Sequence, residues 1–437
     1  MDGAAAALTT RRARAASHPS PYDAYLRWHP RTLLLLAVIA MLGLALTACS
    51  TASSSGAKTP APSAAINTPA SPPEAPTATP APLTQAADAV TIDTTALTVA
   101  PNGDVYIANS YLPSACFIYR LRGDTLETVA GKGPCGFGGD GGPALDAEFY
   151  EVNGLAVDAA GDLFLSDSGN CRIREVTGGV IKTIAGNGTC GYMGDAGPAT
   201  DAELGSPFPA GPGAIALDAQ GDLFISDGEN CRVRRVRAGI ITTVAGSGAC
   251  EQPGTGDGGP ATHAGIQPED LAVAPDGTLY VVDAPNFRQQ HAGGGACTVR
   301  AVRGRVIETV AGNGCGTTSL GDGIRATSAS LFLPSGIAVD GLGNLYIADG
   351  FCRVRVVRAG VITTIAGKAW DPLKVHNSDD ACTYDGATGP ALRAQIRPGA
   401  IAVAPDGSVY VADGDACRIL RIAHGVIAPF AGNGCPR

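Results

Sequence analysis

Basic residues are in deficit in this chain: 31 Lys and Arg face 40 Asp and Glu, for a formal charge of −9. Phosphate binding needs a basic surface, so a nucleic-acid partner is excluded. Histidine is scarce, with six in 437 residues, four of them (His263, His291, His376, His424) beyond residue 48. No nucleophile motif and no phosphate-binding glycine loop stands out, and no two cysteines stand at the short spacing of a metal site. Charged residues make up only 16% and aromatics 5%, yet hydrophobic residues reach 45%, which supports a sizeable core and excludes wholesale disorder. Glycine (59) and proline (31) are abundant and break helices, so long helices are excluded too. The length admits two or three ordinary domains or one large all-β domain. Cysteines number 13, an odd count that leaves at least one without an intramolecular disulfide partner.

An export signal accounts for the odd cysteine. Residues 32–48, TLLLLAVIAMLGLALTA, form a charge-free apolar run preceded by Arg11, Arg12, Arg14, Arg27 and Arg31. A basic leader, a short apolar stretch and small residues before a cut site describe a signal peptide. The run ends in Leu46-Thr47-Ala48-Cys49, which resembles the lipobox of bacterial lipoproteins, in which the cysteine is lipidated and becomes the new N-terminus. The alternative is an uncleaved transmembrane anchor, for which this run is at the short limit. Both readings put the rest of the chain outside the cytoplasm. Removing 1–48, with its five Arg and two Asp, leaves a charge of −12. Residues 49–88 read as a lipidated N-terminus and a linker: 31 of the 38 residues from 50 to 87 are Ser, Thr, Ala or Pro. Such a stretch buries too little apolar area to offset its ordering entropy and acts as a semi-extended stalk.

From residue 89 to 437 one unit recurs six times, with starts near Leu97, Gly154, Ala214, Leu271, Ile337 and Ile401. The second copy carries four short apolar segments, LAV (155–157), DLFLS (162–166), RIREV (172–176) and VIKTIAG (180–186). Segments of this length, rich in Val, Ile and Thr and bounded by Gly and Asp, are strands. Four antiparallel strands per unit, repeated six times, predict an all-β, six-bladed β-propeller of four-stranded antiparallel blades. The phrase G-I-A-V-D-x-x-G-N-L-Y-I-A-D, then R-V-R and T-T-I-A-G, stands almost in full at 336–367 and is similar to NHL repeats. The stretch G-D-G-G-P-A after the fourth strands resembles the long-loop NHL subtype of bacterial secreted proteins and of teneurins. The resemblance implies the propeller fold strongly and function weakly, because propellers host unrelated activities.

The remaining twelve cysteines fall two per unit: Cys116 and Cys135, Cys171 and Cys190, Cys231 and Cys250, Cys297 and Cys315, Cys352 and Cys382, Cys417 and Cys435. Each first member opens a third strand and each second member follows the fourth. The ends of an antiparallel hairpin lie side by side, so one disulfide per blade is predicted, against free thiols or metal ligation.

Three constellations fall on the face that bears the long loops, where binding residues tend to sit. Asp167, Asp227, Asp283, Asp349 and Asp413, with Asn109, end the second strands, and Arg172, Arg232, Arg353 and Arg418 follow them. They read as Asp–Arg braces within each blade, or as ligand-binding groups. Asp140, Asp195, Asp257, Asp322 and Asp385 lie in the interblade loops, as turn stabilisers or calcium ligands. Calcium wants six to eight oxygens, and each loop offers one carboxylate. Insertions in blades four and five carry Phe287, Arg288, His291, Trp370, Lys374 and His376, a patch suited to a glycan or peptide, or else a cover for the blade edge.

Two functions follow from different classes. One is a lipid-anchored module of the cell envelope, monomeric, that binds an envelope glycan, peptide or protein through the loop-rich face, with membrane contact through the N-terminal lipid and no cofactor. The other is a propeller enzyme of the lactonase or lyase type, with a metal in the central channel. The innermost strands, LTVA, LAVD, IALD, LAVA, IAVD and IAVA, are small and apolar and hold no histidine, so no catalytic residue or metal ligand is assigned.

Overall fold

Each repeat folds as an antiparallel sheet of four strands, and the sheets stand around a central channel. The computed structural model describes residues 84–435 except 112–114, 207–210, 251–252, 285–295, 316–320, 351, 369–381 and 383–387. Blade two shows the pattern, with strands Val152–Val157, Leu163–Asp167, Arg172–Thr177 and Val180–Ala185 in spatial order. Each sheet is covered on both faces by its neighbours, so its second strand is buried nearly throughout rather than on alternate residues. All five residues of Leu345–Asp349 in blade five are buried. Apolar clusters fill every junction between blades, and the last of them joins Leu97, Ile107 and Leu121 of blade one to Tyr410 and Ile419 of blade six, which closes the ring.

The G-D-G-G-P-A loops have a structural task. The loop leaving blade one crosses to the outer edge of blade two. There Gly141 donates to the Ile181 carbonyl (2.7 Å), and Ile181 donates back to Gly142 (3.1 Å). This supplies a short fifth edge segment that hides the unpaired strand edge, which would otherwise template association with another chain. Ring closure uses the same device. Thr84–Ala86 pairs with the fourth strand of blade one, and Ala87 and Val90 accept from Gly432 and Asn433 of blade six, both at 2.9 Å. Residues Thr84–Ala86, ahead of the expected boundary of 89, thus take part in the sheet of blade one. Residues 1–83, including the signal peptide, Cys49 and most of the linker, lie outside the described residues.

All six predicted disulfides form, with Cα atoms 4.8–5.3 Å apart. In blades two to six the first cysteine sits in the left-handed region, with φ of 40–63°. That conformation is strained for a residue with a Cβ. The glycine after the fourth strand must then pass directly over it: at Gly186 (φ 86°) an added Cβ would fall on the Cys171 carbonyl oxygen. The repeated A-G pair is thus a packing requirement. Closing a loop of this length stabilises by roughly 3 kcal/mol in the chain-entropy model. Six disulfides also imply an oxidising, extracytoplasmic compartment. Intact mass under alkylation should show no modified cysteine between residues 84 and 437 before reduction and twelve after it. A free thiol there contradicts the scheme.

Candidate functional site: the loop-rich face and the channel mouth

Between the third and fourth strands every blade carries a bulge, in blade two between Ile173 and Arg174, where Ile173 faces Ala185 and Arg174 faces Thr183. A bulge re-aims the residue beside it. In blades two, three and five that residue is the second arginine of the R-x-R motif, in blade four it is the arginine of Thr298-Val299-Arg300, and Arg174, Arg234, Arg300 and Arg355 are all fully buried. Each guanidinium lies between two aspartates from different segments. Arg174 reaches Asp140 of the incoming interblade loop at 2.7 Å and Asp167 of its own blade at 3.6 Å. It also donates to the carbonyls of Gly138 and Glu148, both at 2.8 Å. Arg234 repeats this with Asp195 (2.7 Å) and Asp227 (3.4 Å), Arg300 with Asp257 (2.6 Å) and Asp283 (3.2 Å), and Arg355 with Asp322 (3.0 Å) and Asp349 (3.5 Å).

The inner aspartate ties its strand to the entering loop as well. Asp167 Oδ1 accepts from the Tyr150 backbone N–H at 2.8 Å and from Asn170 at 2.7 Å. Burial pushes its pKa up to about 6, and it raises Asp227, Asp283 and Asp349 in the same direction. Two outer aspartates, Asp195 and Asp322, behave oppositely. Burial also opposes ionisation of Asp195, but hydrogen bonds from Thr243 and the Arg234 guanidinium hold it below the usual carboxylate range. Asp322 is held low in the same way by Thr364 and Arg355.

This corrects the expected pairing. Arg353 does meet Asp349, at 3.0 Å, but Arg172 and Arg232 do not take the aspartates of their own blades. They keep their guanidinium groups partly hydrated and donate to backbone carbonyls, Arg172 to Asn170 (3.1 Å) and Asn187 (2.9 Å). Each also lies over an aromatic ring, Arg172 on Phe137 at 4.1 Å and Arg232 on Tyr192 at 3.7 Å. Arg418 donates to the Asn433 carbonyl at 3.5 Å. The physical reason is burial. The arginine two residues further on has no solvent, so it takes the carboxylates that would otherwise stand uncompensated. The R-V-R pattern showed that arginine but not its partners. The interblade aspartates Asp140, Asp195, Asp257 and Asp322 therefore serve guanidinium groups; Asp385 lies outside the described residues.

Blades one and six depart from the pattern. Blade one has Ile118 in place of the buried arginine and Asn109 in place of the aspartate, with Asn109 Oδ1 accepting from Asp93 N–H at 2.9 Å. Blade six has Leu420 there and keeps Asp413, which accepts from the Arg397 backbone N–H at 3.3 Å. The insertion residues Phe287, Arg288, His291, Trp370, Lys374 and His376 lie outside the described residues.

A cavity of about 370 Å³ runs between the six innermost strands. Its strands carry small and apolar residues as expected, while most of the surface they expose to the channel is polar; its mouth on the loop-rich face departs from the pattern. Where other blades enter the channel with small residues, as in Asn153-Gly154 and Ser335-Gly336, blade four enters with Glu269-Asp270. Blades approach closely at this point: a Cβ on Gly154 would meet Gly213 O and Ile215 N, both at 2.8 Å. Asp270 fits because its carboxylate accepts from the Ile337 N–H of blade five (2.7 Å) and from Leu271 N–H (2.8 Å). Glu269 has no hydrogen-bond or ion-pair partner among the described residues. These two carboxylates were missed by reading each strand alone. Aligning Pro268-Glu269-Asp270 with the other strand entries exposes them.

The Arg174 cluster makes a testable claim about stability. Arg174→Leu should lower stability by roughly 3 kcal/mol, because it leaves Asp167 buried and uncompensated. Adding Asp167→Asn, which copies the pairing of blade one, should recover most of that loss in thermal melts. Equal melting temperatures for the single and double variants would contradict the account.

The profile of the Teneurin NHL domain matches residues 300–375, in blades four and five. The chain is 31% identical over 303 residues to Teneurin-3 of Danio rerio, covering 62% of this chain and 10% of that protein. It is also 31% identical over 299 residues to human Teneurin-1, covering 62% and 10%. The chain thus spans about a tenth of the length of the curated relatives it matches. Among solved structures, an auxiliary nutrient binding protein from Bacteroides thetaiotaomicron is similar with a TM-score of 0.49 and 12% identity, covering 78% of this chain and 70% of that one. With six antiparallel blades closed into a ring, the described part of residues 84–435 is a six-bladed β-propeller, and its blades four and five are similar to the Teneurin NHL domain.

Proposed function

We propose that this chain is a binding module of the cell envelope, held to a membrane by a lipid on Cys49 and presenting the loop-rich face of its propeller to an envelope glycan, peptide or protein. The observation that carries this reading is the construction of that face. Disulfides and buried arginines, each held between two aspartates, brace it from within, while the opposite face is made of tight turns such as Asp158-Ala159-Ala160-Gly161, closed by bonds from Ala160 and Asp162 N–H to Asp158 Oδ1, both at 2.9 Å. A braced face loses little conformational entropy on binding, which favours recognition. The blade four and five insertions, with Phe287, Arg288, His291, Trp370, Lys374 and His376, are the proposed contact residues. Binding is preferred over lactonase- or lyase-type catalysis because of where the described histidines lie. His263 closes an interblade turn and His424 lies in a hairpin turn of blade six, both away from the channel lining. Two measurements test the module. The purified protein should bind cell-envelope fractions, and Trp370→Ala should weaken that binding roughly tenfold, as loss of an aromatic anchor does. Cys49→Ser should move the protein from the membrane to the soluble fraction. Undiminished binding by the Trp370 variant removes the insertion patch from the reading; membrane retention of the Cys49 variant removes the lipid.

A further inference from the structure

The channel mouth offers chemistry of its own, separate from the loop insertions. Five of the six strand entries around it are uncharged, and blade four alone brings carboxylates. Asp270 is committed, since its two oxygens receive the backbone N–H groups of Leu271 and Ile337. Glu269 is not: its carboxylate lines the cavity and meets no donor among the described residues. Glu229, on the short turn Gly228–Asn230 of the neighbouring blade, adds a third negative charge nearby. Burial first, then Glu229 and Asp270, push the Glu269 pKa up to about 7, and burial pushes Asp270 up to about 6. A carboxylate held in this way lacks a positive partner. Below it the walls are Leu, Ile, Val and Ala of the innermost strands.

We propose that the channel mouth is a binding site for a small organic cation whose ammonium group pairs with Glu269. A pocket of a few hundred Å³ with one unpaired charge at its mouth is large enough for a small molecule. Calcium is a poorer complement. It takes six to eight oxygens, and among the described residues no group of three or more Asp, Glu, His or Cys is placed to hold a metal. An ammonium needs only one carboxylate and neighbouring carbonyl or hydroxyl acceptors, and Ser335 and Asn153 flank the same mouth. Ammonium groups occur both on amino sugars and on peptides, and the shared chemistry is what this site reads. The proposal does not depend on the insertion loops, so it stands or falls separately from the envelope partner.

The test is calorimetric titration of the whole protein with n-butylammonium, D-glucosamine and Nα-acetyl-lysine amide, with n-butanol as the neutral control. At least one of the three ammonium compounds should bind at millimolar concentration or tighter and n-butanol should not; the tightest names the source. Glu269 must be ionised to bind. Because its folded-state pKa is raised, binding of n-butylammonium and of Nα-acetyl-lysine amide, both charged throughout this range, should weaken roughly tenfold from about pH 8 to about pH 6, an arm that needs no variant. Glu269→Gln should weaken binding at the higher pH by roughly tenfold or more. Its melting temperature there should be no lower than that of the parent, because a carboxylate with no positive partner among the described residues has been removed. The proposal is overturned if none of the ammonium compounds binds, if n-butanol binds equally, if binding survives Glu269→Gln or the pH change, or if calcium binds with the Glu269 dependence and the ammonium compounds do not.

Discussion

A guanidinium with no access to water is costly unless every charge and donor around it is matched, and four blades of this propeller are organised around one. Arg174, Arg234, Arg300 and Arg355 each hold an aspartate from their own second strand and another from the loop that arrives from the preceding blade. One side chain therefore fixes three segments: the hairpin, the strand before it and the interblade connection. The bulge that aims the arginine, the threonine that caps the outer aspartate and the aromatic ring stacked near it all follow from that requirement. Thr183 Oγ1, for example, donates to Asp140 at 2.5 Å.

The disulfides act on the same end of each blade, and the two devices divide the work. The disulfide holds the third strand to the fourth, within one hairpin, and keeps a cysteine in the left-handed conformation. The arginine joins that hairpin to the loop from the previous blade. Blades one and six manage without the buried arginine, having Ile118 and Leu420 in its place, and these are the two blades that meet at the seam. There the N-terminal segment supplies, through Ala87 and Val90, the acceptors that an interblade loop supplies elsewhere. Braced from within on one face, the propeller leaves its sequence free to vary in the long loops and at the channel mouth. Blade four uses that freedom twice, in its insertion and at Glu269.

The fold was legible because its determinants are local. Strand length, turn residues and the pairing of Cys171 with Cys190 all lie within one hairpin, and a hairpin brings its own ends together whatever surrounds it. The same locality misled the reading of the charges. Asp167 and Arg172 are register partners, so pairing them seemed natural. The arginine that takes the carboxylate is Arg174, and it does so because burial there removes every alternative.

By itself the amino-acid sequence determined the number of blades, the four strands of each and the six disulfides, since all of these are set by contacts between residues close along the chain. Only the tertiary structure decided which arginine serves which aspartates, because the outer aspartates come from loops 33 to 43 residues earlier that reach the next blade across a junction. It also decided the seam, where residues 87–92 meet the last blade, and the channel mouth. Glu269 and Asp270 become neighbours of blades three and five only when six first strands are drawn around one axis, and no local rule places a side chain relative to an axis that the closed ring alone defines.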